Sequence, residues 1–206
     1  MIFDKIVLGI LNTNTYILAD DDSKQGVIVD IGGDLDKLKQ KTSDMGVKIE
    51  KIILTHGHLD HMLESNQARD YYKACVYLNE EDKDLFKDQK IRSFYGDNLP
   101  SDLAVDVFIK DGDIITFGRH QIKVIHTPGH TQGSVCLLAD DRLLITGDTL
   151  FKNTIGRTDH PGGDTLQEIE SIKNKLLTLP DSIEVFPAHG NNTTIGLEKA
   201  NNTYLK

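Results

Sequence analysis

The sequence is poor in cysteine and has no long hydrophobic run. Its two cysteines, Cys75 and Cys136, are too few for a disulfide scaffold and too far apart for a thiolate metal site. The longest apolar run near the N-terminus, residues 6–11, is shorter than the core of a secretory signal and far shorter than a membrane span. We therefore expect a protein of the reducing cytoplasm without a membrane partner.

The sequence also has a deficit of positive charge. Its 206 residues include 23 Lys and Arg against 32 Asp and Glu, which gives a formal net charge of -9. An acidic surface repels phosphate backbones and anionic lipids, so we do not expect nucleic acid as a partner. The length suits one domain over residues 1–206, and a hydrophobic fraction of 38% is enough to build a core.

Short apolar segments bounded by glycine and aspartate predict strands interleaved with helices. Residues 2–31 predict a three-strand meander, after which Asp34 can cap a helix that carries Leu35 and Leu38 on one side. Further strands are predicted at residues 51–54, 76–78, 105–109, 114–117, 121–126, 134–139, 143–146 and 183–186. This order, given twice, predicts an α/β fold of two mixed sheets packed face to face with helices outside, in four αββα layers.

The remaining helices and one connection are predicted from charge and periodicity. Residues 60–73 predict a helix, and the charged residues 80–84 predict a solvated helix face. Asp164 and Gln167 form a capping box for a later helix. The apolar stripe of that helix would consist of Leu166, Ile169, Ile172 and Leu176. Residues 88–102 are either a surface connection or a lid over a site, and the sequence leaves both open.

A string of metal-ligating residue types directly follows the strand at residues 51–54. Residues 56–61 are His-Gly-His-Leu-Asp-His, a pattern that rarely arises by chance. His56 and His58 are two positions apart on an extended segment, so both project the same way and can share one ion. Asp60 and His61 begin the next helix and point toward a neighbouring ion. Open α/β sheets bind ligands at this end of their strands.

Three more candidate ligands each come directly after an apolar strand. They are His130, Asp148 and His189, which bring the set to five histidines and two aspartates. That composition suits a pair of borderline ions better than calcium or magnesium. His120 and His126 lie outside these strings, and we expect them to be ordinary surface or packed histidines.

Residues 55–61, together with His130, Asp148 and His189, resemble the metallo-β-lactamase superfamily, whose fold has four αββα layers. Residues 127–134, 147–151 and 156–164 resemble, more narrowly, its short glyoxalase II-like (hydroxyacylglutathione hydrolase-like) hydrolases. The resemblance implies a first metal on His56, His58 and His130, a second on Asp60, His61 and His189, and Asp148 bridging both. It also implies that the glutathione-binding helical region of the long form is missing, because only residues 190–206 follow His189.

The proposed metals favour hydrolysis of thioesters. Two divalent ions would lower the pKa of bound water to about 7 and polarise a carbonyl, and Asp60 would orient the nucleophile. A departing amine must be protonated, whereas a thiolate leaves as an anion, and no dedicated acid is evident. We therefore expect a small anionic thioester as substrate, with lactones or other esters as alternatives, and zinc as the metal, with iron or manganese possible.

Three other functions are weighed against this hydrolase. An oxidoreductase similar to persulfide dioxygenases would use one iron held by two histidines and an aspartate. A nuclease of the same superfamily is disfavoured by the charge of -9. A binding module that has lost catalysis is disfavoured by the complete set of ligand residue types.

Substrate contacts are expected from Arg157, Tyr95 and His160. Arg157 can hold a substrate carboxylate, support a ligating carboxylate or form a salt bridge with Asp159, and the structural roles are favoured. His160 can line the mouth of the site. Tyr95 belongs to the segment that is either a connection or a lid.

Overall fold

Strands of the first half of the chain form one mixed sheet. The computed structural model describes residues 1–88, 92–93, 99 and 101–206. The strands of this sheet, in chain order and in their order across it, are β1 (Ile2–Leu8), β2 (Thr13–Ala19), β3 (Gln25–Val29), β4 (Lys48–Ile53), β5 (Cys75–Asn79) and β6 (Val107–Ile109). Strands β1 to β3 are antiparallel, which confirms the predicted meander, and β3 to β6 are parallel.

Strands of the second half form a second sheet. In chain order the strands are β7 (Ile114–Phe117), β8 (His120–His126), β9 (Val135–Ala139), β10 (Leu143–Gly147), the small hairpin β11 (Leu150–Phe151) and β12 (Thr154–Ile155), β13 (Glu184–Pro187) and β14 (Thr193–Thr194). Outside the hairpin, their order across the sheet is β14-β13-β10-β9-β8-β7. Neighbours are antiparallel except β10 and β13. Each predicted strand is therefore present, with its ends shifted by at most three residues.

Helices flank the strands of both sheets. Within the described ranges they include α1 (Leu35–Asp44), α2 (Leu59–Met62), α3 (Ser65–Tyr72), α4 (Thr165–Ser171), which continues into a π-helical turn (Ile172–Leu176), and α5 (Ile195–Asn201). Short 3₁₀ turns occur at Glu80–Asp82, Leu85–Lys87 and Thr203–Leu205. Within the described ranges, every helix is too short or too polar to cross a bilayer.

The apolar side chains separate into three clusters that define the layers. In β2, Ile17 packs with Leu38 of α1 on the outer face of the first sheet, whereas Leu18 packs with Leu137 of β9 between the sheets. This alternation follows from the two-residue period of a strand. A third cluster, which includes Leu176, covers the outer face of the second sheet. The predicted αββα arrangement is confirmed.

The helix predicted at residues 60–73 is interrupted. It consists of α2 and α3, with Leu63 and Glu64 between them. The His61 carbonyl accepts a hydrogen bond from the Ile31 amide at 2.7 Å, and the Glu64 amide donates to the Ile31 carbonyl at 3.4 Å. These bonds to the loop after β3 replace bonds along the helix, so a continuous helix is not formed.

Asp34 was expected to cap α1, and this prediction is wrong. Asp34 occupies the position before the helix with a positive φ of 53°, and its side chain makes no capping bond. The carboxylate instead accepts a hydrogen bond from the Gly9 amide at 3.1 Å. Asp34 therefore fixes the β1–β2 turn beside the helix.

Two predictions of burial were wrong at one residue each. Leu166, assigned to the apolar stripe of α4, is 75% exposed, while Glu168 and Ser171 of the same helix are buried. Asp82, assigned to a solvated face at residues 80–84, is only 1% exposed. Both errors have one cause, because the buried polar residues face loops that carry candidate ligands.

Candidate metal centre

The candidate ligands lie in the loops and the short helix that follow four strands, and they come together in space. His56 and His58 lie between β4 and α2, and Asp60 and His61 lie in α2. The other three follow β8, β10 and β13 of the second sheet, and they are His130, Asp148 and His189. The structure brings the seven together in overlapping groups whose ligand atoms lie within 4.8 Å of one another.

The first group is a triangle of ring nitrogens from His56, His58 and His130. His58 Nδ1 lies 3.0 Å from His56 Nε2 and 3.0 Å from His130 Nε2, and the last two atoms are 3.2 Å apart. Burial lowers the pKa of His56 far below its usual value, that of His58 to about 2 and that of His130 to about 4. All three rings are therefore neutral, which is the form that binds metals.

Hydrogen bonds on the far side of two rings determine which nitrogen carries a proton. The Thr55 hydroxyl donates to Asp30 at 2.8 Å, so it accepts from His56 Nδ1 at 3.1 Å. His130 Nδ1 donates to the Arg157 carbonyl at 2.8 Å. Because a neutral imidazole has one N–H, His56 Nε2 and His130 Nε2 face each other as two lone pairs. A cation between these nitrogens removes the conflict, so the donor set fits a metal.

The second group consists of Asp60, His61 and His189. Asp60 Oδ2 lies 3.3 Å from His61 Nε2 and 3.3 Å from His189 Nε2. His61 Nδ1 donates to Asp30 Oδ2 at 2.9 Å. Although burial opposes a charge on the ring, the carboxylates of Asp60, Asp148 and Asp30 raise the pKa of His61 well above its usual value. The buried Nε2, which within the described residues has no hydrogen-bond partner of normal geometry, therefore carries a proton where a cation would bind, so this group also fits a metal.

Asp148 lies between the two groups. Its Oδ1 is 3.5 Å from His61 Nε2 and 3.6 Å from His189 Nε2, while its Oδ2 is 3.6 Å from His130 Nε2. Although burial opposes ionisation, the neighbouring His61 lowers the pKa of Asp148 to about 2. Each oxygen of this carboxylate thus faces one group, as a bridging ligand would.

Asp30 is a supporting residue that the sequence analysis missed. Its carboxylate accepts from the Thr55 amide at 2.8 Å, the Thr55 hydroxyl at 2.8 Å and His61 Nδ1 at 2.9 Å. Asp30 directly follows β3, the neighbour of β4, so its position at the end of an apolar strand was the available signal. Such a carboxylate fixes the orientation of a ligating histidine.

The three residues expected to contact substrate differ in their positions. The ring centroid of His160 lies 4.5 Å from that of His58 and 4.6 Å from that of His130, so this residue borders the first group. The side chain of Arg157 is 73% exposed and forms a salt bridge with Asp159 at 2.8 Å, while its backbone carbonyl supports His130. Tyr95, together with most of residues 88–102, lies outside the described residues.

His120 and His126 lie apart from the two groups. His126 Nε2 bonds to the Gln132 carbonyl at 2.8 Å, and His120 Nδ1 contacts Asp140 at 2.6 Å. His120 also forms a group of possible ligands with Asp20 and Asp21. The adjacent Arg119 guanidinium contacts both aspartates, so a cationic side chain already pairs with the carboxylates of that group.

Comparison with known proteins shows the family to which the chain belongs. A family model described as Lactamase_B, the metallo-beta-lactamase superfamily, matches residues 8–189. The chain belongs to the metallo-beta-lactamase superfamily. Within the superfamily it is 36% identical to hydroxyacylglutathione hydrolase GloC of Haemophilus influenzae, over 90% of this chain and 89% of that protein.

Solved structures of the superfamily have the same fold. BLEG-1 B3 metallo-beta-lactamase superposes with a TM-score of 0.92 at 35% identity and covers 100% of both chains. TTHA1623, crystallised in a di-iron-bound form, superposes with a TM-score of 0.87 at 30% identity, over 98% of this chain and 100% of that one. The histidine and aspartate groups described above are consistent with a dinuclear site in this superfamily.

Proposed function

We propose that this protein is a hydrolase that uses two divalent cations to cleave small anionic thioesters of the hydroxyacylglutathione type. The observation that carries the proposal is the position of Asp148, whose two oxygens face two separate groups of nitrogen and oxygen ligands. The similarity to a hydroxyacylglutathione hydrolase supports the substrate class. We further propose a cytoplasmic protein that acts on a small molecule rather than on nucleic acid, in keeping with its net charge of -9.

The proposed ligands are the residues of the two groups. His56, His58 and His130 would hold the first cation, Asp60, His61 and His189 the second, and Asp148 both. Zinc is the expected metal, and iron or manganese would also accept these ligands. When bound, the cations would lower the pKa of water to about 7, polarise a carbonyl oxygen and outweigh the charge of the two carboxylates.

Asp60 is the proposed catalytic residue of the chain. Although burial opposes ionisation, the charge of His61 lowers the pKa of Asp60 far below its usual range. The ionised carboxylate, whose side chain is 10% exposed, can accept a hydrogen bond from an attacking water and hold it in line with the substrate carbonyl. His160 would border the bound substrate beside His58.

The leaving group decides between thioesters and amides. A thiol has a pKa of about 8.5, so its thiolate departs without a proton, whereas an amine leaving group needs an acid. Burial raises the pKa of Glu168 to about 8, but this side chain is fully buried and cannot reach a substrate. Hydrolysis of a thioester therefore does not need an acid among these residues, whereas hydrolysis of an amide does.

The test is a hydrolysis panel on zinc-loaded protein, with metal-stripped protein as control. S-lactoylglutathione, other glutathione thioesters and coenzyme A thioesters are compared with a lactone and with a β-lactam. We expect hydrolysis of at least one thioester that is lost on stripping and restored by zinc. Absence of turnover on every thioester would overturn the proposal.

Two alternatives have specific readouts. The similarity to BLEG-1 favours β-lactam hydrolysis as the second candidate, and turnover of the β-lactam but of no thioester would establish it. An iron-dependent oxidoreductase would bind one iron per chain and consume oxygen with a persulfide substrate. The complete second ligand group supports two cations over one.

A further inference from the structure

Asp82 is a buried carboxylate that joins two loops of the metal centre. It ends the 3₁₀ turn Glu80–Asp82 after β5, and the Asn79 side chain caps that turn by accepting from the Glu81 amide at 3.0 Å. The turn directs Glu80 and Glu81 to solvent and Asp82 inward, where it is 1% exposed. A carboxylate is buried in this way only when other groups satisfy it.

Three donors from two loops satisfy this carboxylate. Asp82 Oδ2 accepts from the Gly57 amide at 2.9 Å and from the Thr131 hydroxyl at 2.7 Å. Asp82 Oδ1 accepts from the Gly133 amide at 2.8 Å. Gly57 lies between His56 and His58, and Thr131 directly follows His130. Asp82 thus connects a loop of the first sheet with a loop of the second.

The two glycines show how closely these loops approach Asp82. A Cβ atom on Gly57 would lie 2.7 Å from the Asp82 carbonyl oxygen, and a Cβ atom on Gly133 would lie 2.6 Å from Asp82 Cγ. Either distance is shorter than any real contact, so a side chain at either position would displace the loop or the carboxylate. The two loops can therefore approach Asp82 this closely only because positions 57 and 133 are glycine.

Asp82 and Asp30 differ in the ligand groups that they support. His56, His58 and His130, the whole first group, lie on the two loops that Asp82 holds. Asp30 contacts His61 of the second group directly and also reaches His56 of the first group through the Thr55 hydroxyl. We infer that Asp82 is a positioning residue for the first cation alone, an inference that rests on the proposed dinuclear centre.

The test uses two full-length backgrounds in which only one group can bind. His61→Ala with His189→Ala leaves the first group, and His56→Ala with His130→Ala leaves the second. Asp82→Asn keeps the side-chain volume but replaces one carboxylate oxygen by an NH2 group. This donor must then face an N–H or O–H group that donated to the oxygen. Asp30→Asn is the comparison variant at a carboxylate that supports both groups, and Glu81→Gln on the exposed face of the same turn is the matched control.

Zinc affinity of stripped protein, measured by calorimetric titration, is the readout. We expect Asp82→Asn to weaken binding by about 10–100-fold in the first-group background and by less than about threefold in the second, because supporting residues contribute on this scale. Asp30→Asn should weaken zinc binding in both backgrounds, because Asp30 contacts His61 directly and His56 through Thr55, and Glu81→Gln should change neither. Equal weakening by Asp82→Asn in both backgrounds, or none, would overturn the inference.

A second pair keeps the test decisive if Asp82→Asn does not fold. Thr131→Val removes one donor with little change in volume, and Thr131→Ser restores it. We expect the valine variant to weaken zinc binding to the first group and the serine variant to recover it, and equal affinities would overturn the inference. If neither background bound zinc, the dinuclear proposal itself would fail, whereas zinc binding without thioester turnover would leave Asp82 supported and the substrate class wrong.

Discussion

Glu168 is a fully buried acidic residue of α4. It is 0% exposed, and within the described residues neither side-chain oxygen has a hydrogen-bond partner of normal geometry. Its neighbour is the His130 loop, where a Cβ atom on Gly129 would lie 2.3 Å from Glu168 Cα. Burial raises its pKa from 4.5 to about 8. An acid of this kind makes stability depend on pH.

We predict that Glu168→Gln stabilises the metal-free protein increasingly as pH rises from 5 to 8. In this window the unfolded state has lost the proton of Glu168 and the folded state retains it. The free energy of unfolding therefore falls by about 1.4 kcal/mol for each pH unit between the two pKa values. Glutamine removes this loss. Thermal melts at pH 5, 6, 7 and 8 measure it, with the exposed neighbour Glu170→Gln as control. A difference that does not grow with pH would contradict the assignment.

We predict that Asp148→Ala reduces the metal content of the protein below two ions per chain. Without this carboxylate, two cations would face each other with no bridging negative charge, so at least one should be lost together with activity. Elemental analysis of dialysed protein measures the content. His120→Asn, at a histidine outside both ligand groups, should leave it unchanged. Unchanged content in Asp148→Ala would show that the residue does not bridge.

At the scale of residues, the candidate ligands could be predicted from the sequence, whereas the supporting residue Asp82 could not. His56, His130 and His189 each follow an apolar strand, so the sequence pattern alone locates them. Asp82 contacts a hydroxyl 49 residues away in the chain, and no local pattern indicates such a contact. Its neighbours Glu80, Glu81 and Asp84 are exposed charges, which is why residues 80–84 resembled a solvated face.

At the scale of elements, α4 shows both the strength and the limit of sequence patterns. Its start could be predicted, because the Asp164 side chain accepts from the Gln167 amide at 3.0 Å. The reciprocal bond of the capping box is missing, since the Gln167 side chain accepts from Gln132 at 3.0 Å. Its buried face could not be predicted, because Glu168 and Ser171 are polar residues that face the His130 loop, and hydrophobic periodicity alone assigns Leu166 instead.

We predict that Asp164→Ala destabilises the protein by about 1 kcal/mol, the usual contribution of an N-cap side chain. Because Asp164 is exposed, the change removes the cap without opening a cavity. Chemical denaturation compares the free energies of unfolding, and Asp164→Asn, which retains an acceptor oxygen, should be close to wild type. Equal destabilisation by both variants would show that the cap is not the cause.

At the scale of the whole molecule, the centre joins the two halves of the sandwich. The first sheet contributes the residues from His56 to His61, and the second contributes His130, Asp148 and His189. Two sheets with outer helices could be predicted because strands with buried faces and helix-linked crossovers occur in both halves. The distances between ligands of the two halves could not be predicted, because they depend on how the two sheets pack.

We predict that chelation lowers the melting temperature by at least about 5 °C. Cations bind the assembled ligands and not the unfolded chain, so one ion at 100 times its Kd stabilises by about 2.7 kcal/mol. For a chain of this size, 1 kcal/mol corresponds to about 2–4 °C. Calorimetry with and without a chelator, followed by zinc restoration, measures the effect. An unchanged melting temperature would mean that the two halves are not joined by metal.

The most direct measurement of the central claim is a zinc titration of metal-stripped protein in which bound zinc and hydrolysis of S-lactoylglutathione, or the best thioester of the panel, are followed together. The account predicts two tightly bound ions per chain, with hydrolysis reaching its full rate only as the second is taken up. Full activity with one ion per chain, or two bound ions without hydrolysis of any thioester, would contradict it.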